Sequence, residues 1–386
     1  MVLGQAGLSV AVIDKAVFPR DKTCGDALSV DVINQLSILS QDLASTFNDF
    51  PSKMPSHGVK IFSPDHGHID IPFVHQGKEK CGYICSRLDF DNLLIQQLKK
   101  IPCVTLFENC NLHKVETRKE DIKVHTEEGT FTGQIIIGAD GAQSIVTKQL
   151  GTFKTERKHY SAGLRIYYEG VSSFHEGHFI ELYFFRKILP GYLWIFPLPD
   201  NKANVGIGML SSEVSKKKIN LKETLQEFLT THPVLKERFK DAKALESVKG
   251  FGLPLGSKKR KISGDRFLLA GDAASLIDPF TGEGIGNAIR SGRVAAEHIL
   301  KCFDEEDFSD SFNSAYDQEI YRRMWKEFRI SRTLQQLCRH PRLFNFVVKK
   351  ANQSKHVQQL LVDALAHVDK KKSLIHPGFY YRLLFK

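Results

Sequence analysis

The sequence predicts an α/β protein in which a parallel sheet is interleaved with an antiparallel one and followed by a helical C-terminal region. Three observations lead there. Short, fully apolar runs end in an acid or in glycine at VAVID (10–14), IIIGADG (135–141) and FLLAGDA (267–273), as strands covered on both faces of a parallel sheet do. Between about residues 155 and 210 the texture changes to longer strand-type segments, GLRIYYEG, HFIELYFF, GYLWIFPL and ANVGIGML. From Ser309 onward the apolar positions recur mostly at helical spacing.

In chain order, MVLGQAGLSVAVIDK reads as the last turn of a helix, a stop at Gly7, and a buried strand from Val10 to Ile13 ending in Asp14. LDFDNLLIQQLK, from Leu88 to Lys99, has helical spacing, and Val104 to Phe107 is a short strand. Strands alternate around Val115 and Val124 and lead into Ile135, Ile136 and Ile137. The last two antiparallel segments are joined by a Pro199-Asp200-Asn201 turn. A polar helix follows around Leu221 to Leu229, and the chain returns through Gly252 and Pro254 to a strand over Arg266–Ala270. A helix then runs from about Gly284 to Leu300, and Pro341 and Pro377 break the helical remainder.

At 386 residues the chain exceeds one simple core, which implies two or more domains. With 42% hydrophobic and 25% charged residues it is neither disordered nor fibrous. No apolar stretch has bilayer-spanning length and no secretory signal opens the chain, so the expected location is cytoplasmic. Seven cysteines, an odd number, read as reduced thiols; Cys81 and Cys85 lack a second pair for zinc, so no metal is expected. The net charge of +10 draws on runs at Lys216–Lys218, Lys258–Lys261 and Lys370–Lys372. Such runs are solvated loops or attract anionic lipid or a phosphorylated substrate; nucleic acid is not expected, because no recognition signature accompanies them. The basic charge and the terminal LIHPGFYYRLLFK either hold the protein at the inner face of a membrane or pack as a final helix. Nothing indicates an oligomeric state.

Ligands of open α/β sheets gather at the carboxyl ends of strands, so the three acid- or glycine-terminated runs suit one extended ligand. Asp14 is placed either for ribose hydroxyls or as a solvent-facing cap, and Asp272 either for a polyol or as an N-cap. In AGDAASLIDPFTGEGIG (270–286), Gly282, Gly284 and Gly286 let backbone lie against a flat ring. The helix beginning near Gly284 points its positive end at that ring. Because a reduced flavin carries negative charge, a flavin fits this stretch best.

RFLLAGDAASLIDPFTGEGIGNAIRSG resembles the second FAD fingerprint of flavoproteins with the p-hydroxybenzoate-hydroxylase fold, and DPFTGEGI resembles the geranylgeranyl reductase branch. IIGADGAQSIV (136–146) is similar to the Asp-Gly fingerprint of that superfamily, and Arg87 in SRLDFDNLL to its arginine on the flavin side. FPRDKTCGDALS (18–29) resembles the segment carrying a cysteine-glycine pair by the flavin, here Cys24 and Gly25. PGYLWIFP (190–197) resembles the branch's aromatic signature, read there as a wall of a lipid cavity. Alternation alone puts Tyr192, Trp194 and Phe196 on one face, as sheet core or as that wall.

The resemblance implies a Rossmann-like FAD-binding domain over 1–56, 83–154 and 250–300, a substrate domain over 57–82 and 155–249, and a helical region over 301–386. It implies FAD contacts at Asp14, Lys15, Cys24, Gly25, Arg87, Asp140, Gly141, Gly271, Asp272, Pro279, Gly282, Gly284 and Ile285. It also implies substrate contacts at Tyr192, Trp194 and Phe196. NAD(P)H is the expected electron donor, an isoprenoid or other apolar molecule the substrate, and Cys24 or Tyr192 the proton donor beside ordered water. A monooxygenase on the same scaffold and a flavin-free lipid-binding or scaffolding protein are the alternatives.

The chain departs from the family pattern in three places. Thr147 stands where an arginine is common, and the aromatic signature is one residue short between its proline and tyrosine. No Gly-x-Gly-x-x-Gly precedes a suitable helix, so Met1 is expected to be internal to a longer natural protein that adds roughly 20 to 30 residues of first βα unit.

Overall fold

The computed structural model describes residues 1–75, 78–354 and 357–358. The chain opens on a single helical turn, Val2–Gln5, and leaves it through Gly7 at a φ of +87°, a conformation that glycine adopts without steric cost. Strand Val10–Ile13 then pairs in parallel with Val104–Phe107, Val10 opposite Val104 and Ile13 opposite Phe107. A second parallel pair joins Ile136–Gly138 to Phe267–Leu269. Between the two lies an antiparallel meander of Leu112–Thr117, Ile122–Thr126 and Gly129–Gly133.

Cover on both faces holds for Phe267–Leu269, where Leu268 and Leu269 are wholly buried. Helices Ile285–Asp304 and Asp310–Leu337 supply Val294, Ile299, Tyr316, Ile320 and Phe328 to that core. Ile136–Gly138 differs from the expectation. It is an edge strand among the described residues, and with one flank open Ile136 and Ile137 are only half-buried.

The second sheet has eight strands. Seven run in the spatial order Lys243–Ala244, Tyr160–Glu169, Lys202–Leu210, Tyr192–Leu198, Ile180–Tyr183, Gly58–Phe62 and His68–Pro72, and Lys249–Pro254 pairs with Tyr160–Glu169. Its hairpin turns through Asp200 and Asn201, both in the left-handed region at φ of 59° and 55°, which matches the twist of the flanking strands. One pairing is parallel, Ile180–Tyr183 with Gly58–Phe62, because the second of these arrives from a separate stretch of chain rather than through a hairpin. Strand alternation sorts the faces. Leu193 and Ile195 pack under helix Leu221–Thr231 with Leu225 and Phe228. Trp194 and Phe196 face the other way, clustered with Tyr192, Met54 and Phe251.

Helix Asp310–Leu337 is capped by Ser309, whose hydroxyl accepts the Phe312 N–H at 3.3 Å. The helical remainder breaks at Pro341 as expected: Asp310–Leu337 ends just before it, and Pro341 starts the next helix, Pro341–Gln353, at the first-turn position where its missing N–H is unneeded. Lys370–Lys372, Pro377 and the LIHPGFYYRLLFK stretch lie outside the described residues. Among the described residues no helix is long and apolar enough to cross a membrane.

Candidate flavin and substrate site

Three groups of residues converge on the site. The glycine loop leaves strand Phe267–Leu269 through a short turn, Gly271–Ala274, with Gly271 at a φ of +57°. Asp278 shapes the next turn. Its Oδ1 accepts the N–H groups of Phe280 at 2.9 Å and Thr281 at 2.8 Å and the Thr281 hydroxyl at 3.0 Å, and its backbone carbonyl accepts the Gly282 N–H at 3.1 Å. Gly282 sits at a φ of +73°, and Gly284 opens helix Ile285–Asp304 with no side-chain cap. Among the described residues no side chain caps the N-terminal residue of that helix.

The chemistry of this loop suits the sugar and ring of a flavin. A Cβ on Gly284 would stand 3.5 Å from Asp272 Oδ1, so the carboxylate lies directly beside bare backbone. Among the described residues the ion-pair partner of Asp272 is Lys22, at 3.5 Å, which leaves acceptor capacity for hydroxyl groups. A Cβ on Gly282 would lie 3.2 Å from the Tyr192 hydroxyl. Pro279 and Ile285 flank the loop, and the Pro279 carbonyl accepts from the Gln335 amide. Glu283 adds a feature that sequence reasoning passed over. It is half-buried beside Ser29 and Asp31, and burial, with Asp31 nearby, pushes its carboxyl up to about 7 despite the Ser29 hydroxyl that donates to it.

The second group is the cysteine-glycine turn. Arg87 chelates Asp91 with two bonds of 2.7 Å and lies within hydrogen-bonding reach of Cys24. Burial opposes the Arg87 charge, but Asp91 and Cys24 outweigh it and hold the guanidinium's pKa above its usual value. The loop before Cys24 is clipped to the large sheet. Arg165, wholly buried, pairs with Asp21 at 2.9 Å and with Glu246, and Lys249 reaches Asp21 at 2.8 Å. Asp26, also wholly buried, accepts from the Tyr167 hydroxyl and, at 2.8 Å, from the Asn204 amide. Burial pushes its carboxyl up to about 6, and its Oδ1 has no partner among the described residues.

The aromatic strand touches both glycine turns. Tyr192 donates its hydroxyl to the Thr281 carbonyl in the glycine loop, and burial, with Asp278 nearby, raises its pKa. At the other turn a Cβ on Gly25 would lie 2.9 Å from Phe196 and 3.6 Å from Trp194 Nε1. Trp194 and Phe196 are buried, Tyr192 half-buried.

The remaining sequence-derived positions are engaged in their own turns. Asp14 Oδ1 accepts the Ala16 N–H at 2.9 Å, with Arg20 at 3.9 Å and Lys15 exposed. The Asp140 carboxylate caps helix Ile145–Leu150, accepting the Ser144 hydroxyl at 2.5 Å and the Ile145 N–H at 2.6 Å. Gly141, at a φ of +76°, has open space where a Cβ would stand. Thr147, at the position where the family favours arginine, bonds the Ala273 carbonyl at 2.9 Å and ties the Asp-Gly turn to the glycine loop. Asn204, Lys22 and Asp278 were not foreseen, since nothing local in sequence marks a strand asparagine or a loop acid as a contact.

The model of the geranylgeranyl reductase catalytic domain matches residues 161–251, most of the large sheet. Digeranylgeranylglycerophospholipid reductase of Methanocella arvoryzae is 30% identical over 68% of this chain and 65% of its own length. That of Methanosarcina acetivorans is 29% identical over 70% and 64%, so the chain spans just under two thirds of these relatives. Menaquinone reductase of Mycobacterium tuberculosis is 26% identical over 88% of this chain and 80% of the relative. In structure, a geranylgeranyl bacteriochlorophyll reductase-like protein of Thermoplasma acidophilum superposes with a TM-score of 0.77 at 22% identity, covering 99% of this chain and 94% of the other. The halogenase PltM, solved with phloroglucinol and FAD, gives 0.72 at 18% identity over 96% and 81%. The chain belongs to the geranylgeranyl reductase family, on the FAD-dependent oxidoreductase fold that it shares with the flavin-dependent halogenases.

Proposed function

We propose that the protein is an FAD-dependent reductase of carbon–carbon double bonds in an isoprenoid or other lipid substrate. One observation carries the reading: the aromatic strand lies against both the glycine loop, through Tyr192 and Thr281, and the cysteine-glycine turn, through Phe196 and Gly25. An apolar chain lying along that wall is brought between the two turns. When bound, FAD supplies hydride taken from NAD(P)H or another donor.

The residues of the chain do the rest. Asp272 would accept hydrogen bonds from the sugar tail, and the backbone from Gly282 to Gly284 would meet the ring. The uncapped end of helix Ile285–Asp304 would offset the negative charge that reduction creates. As one carbon of the double bond gains hydride, its neighbour must gain a proton. Cys24 is the better placed donor: its half-buried thiol lies within reach of Arg87 at the turn, whereas the Tyr192 hydroxyl is already bound to the Thr281 carbonyl. In this reading the large sheet, drawn from residues 58–72 and 160–254 on either side of helix Arg87–Leu98, is the substrate half. The two parallel strand pairs form the cofactor half.

The test is to load the full-length protein with FAD, reduce it anaerobically with dithionite and add geranylgeraniol in detergent. Mass spectrometry should find product heavier by one H₂ per saturated bond. A hydroxylated product formed only with oxygen would replace this reading with a monooxygenase. Protein that stays colourless and does not respond to FAD would replace it with a flavin-free lipid binder.

A further inference from the structure

Asn204 is wholly buried in strand Lys202–Leu210, directly across from Phe196, and its side chain makes three hydrogen bonds. Its Oδ1 accepts the Trp194 indole N–H at 2.9 Å, and its Nδ2 donates to the Cys24 carbonyl at 2.8 Å and to Asp26 Oδ2 at 2.8 Å. The amide orientation follows from chemistry. Indole nitrogen is a donor only, and the Cys24 carbonyl is an acceptor only, so the oxygen must face Trp194 and the nitrogen must face the turn. Only an amide side chain does both at once: aspartate cannot serve as the twofold donor, and leucine makes none of these bonds.

The surroundings give this amide its leverage. The indole is pressed on Gly206, where a Cβ would fall 2.0 Å from its Cζ2, and a Cβ on Gly25 would lie 3.6 Å from its Nε1. Asp26 is itself held by Tyr167, over whose ring the Arg165 guanidinium stacks at 4.1 Å. A shift of the indole therefore pulls on the backbone of the cysteine-glycine turn rather than being absorbed by a loose side chain, since buried networks of this kind are rigid when satisfied.

We propose that Asn204 is a positioning residue that couples Trp194 in the substrate wall to the Cys24–Gly25 turn, with Asp26 as its anchor. The role rests on the reductase reading above. A prenyl chain seated against the indole sets, through Asn204, the place of the Cys24 backbone and with it the donor thiol.

The test uses the full-length protein carrying Trp325→Phe, which leaves Trp194 as the one tryptophan of the sequence's two and lies outside the site. Asn204→Leu removes the indole acceptor and the donors to the turn; Asn204→Asp keeps the acceptor, loses the donor to the Cys24 carbonyl and sets a second carboxyl against Asp26, with which it shares one proton. The expected result is a shift of Trp194 emission in the leucine variant but not in the aspartate variant. Turnover of geranylgeraniol should fall about tenfold or more in both, with FAD affinity within about twofold of the parent. If the leucine variant fails to fold, the aspartate variant, of nearly the same shape, and Asp26→Asn at the other end of the link carry the test. Turnover within twofold of the parent would overturn the proposal. So would a loss of turnover that excess FAD restores, since that marks a damaged fold rather than a broken link. If the Trp325→Phe parent itself binds no FAD or saturates no prenyl bond, the reductase reading has failed instead.

Discussion

Cys24 and Asp26 are two residues apart and do opposite things. Cys24 is half-buried beside Arg87, whereas Asp26 is sealed in. Replacing Cys24 with alanine should cut turnover by about a hundredfold or more, the usual worth of a positioned acid, while a flavin titration shows FAD affinity nearly unchanged. Asp26 bears on stability. Its folded pKa of about 6 lies above the ordinary carboxyl value, so the folded state holds the proton longer than the unfolded one does. The stability it lends is complete below about pH 4 and is lost as pH rises through about 6, at about 1.4 kcal/mol per pH unit within that window. Denaturant titrations across pH 4 to 7.5 should show this slope in the parent, and Asp26→Asn should flatten it.

Among the elements, the helix Ile285–Asp304 and the strand Tyr192–Leu198 decide most. Near the start of the helix Glu283 lies beside Ser29 and Asp31, and Asp31 is paired with Arg290 at 2.6 Å. Asp278, on the glycine loop, also faces it. Raising the pH through about 7 ionises Glu283 and, in the proposed site, adds negative charge beside the reduced flavin. Affinity for reduced FAD should therefore fall over that range in the parent and stay level in Glu283→Gln, as read by anaerobic flavin titration. The strand depends on its neighbour lacking a side chain. Gly206→Ala would set a Cβ 2.0 Å from Trp194 and 2.3 Å from the Leu164 carbonyl, and neither a packed indole nor a strand carbonyl can retreat far. Overpacking of this kind costs about 1 to 3 kcal/mol and displaces the ring, so thermal melting should drop and turnover with it.

For the whole molecule, polar contacts tie the loops of the candidate site to the large sheet and to one another. Arg165–Asp21, Asn204–Asp26 and Ser29–Glu283 each join residues more than 140 positions apart in the chain. A ligand bound by these loops stabilises the folded chain. FAD at a hundred times its dissociation constant should add about 2.7 kcal/mol, which for a chain of 386 residues raises the melting temperature by roughly 3 °C. A melting curve unmoved by FAD would contradict the proposed cofactor.

The sequence by itself determined the elements and the loop chemistry. Two-residue alternation sorted Leu193 and Ile195 from Trp194 and Phe196, and acids or glycines after apolar runs marked the strand ends. These are local signals, carried by neighbouring residues and the fixed periods of strand and helix. Tertiary structure decided which polar groups meet. It gave Asp140 to a helix cap, left Asp272 with Lys22 beside bare backbone, and joined Asn204 to Cys24 and Asp26. Such partners come from strands brought together by burial of their apolar faces, and a buried amide or carboxyl must then bond whatever that packing places within reach, however distant in sequence.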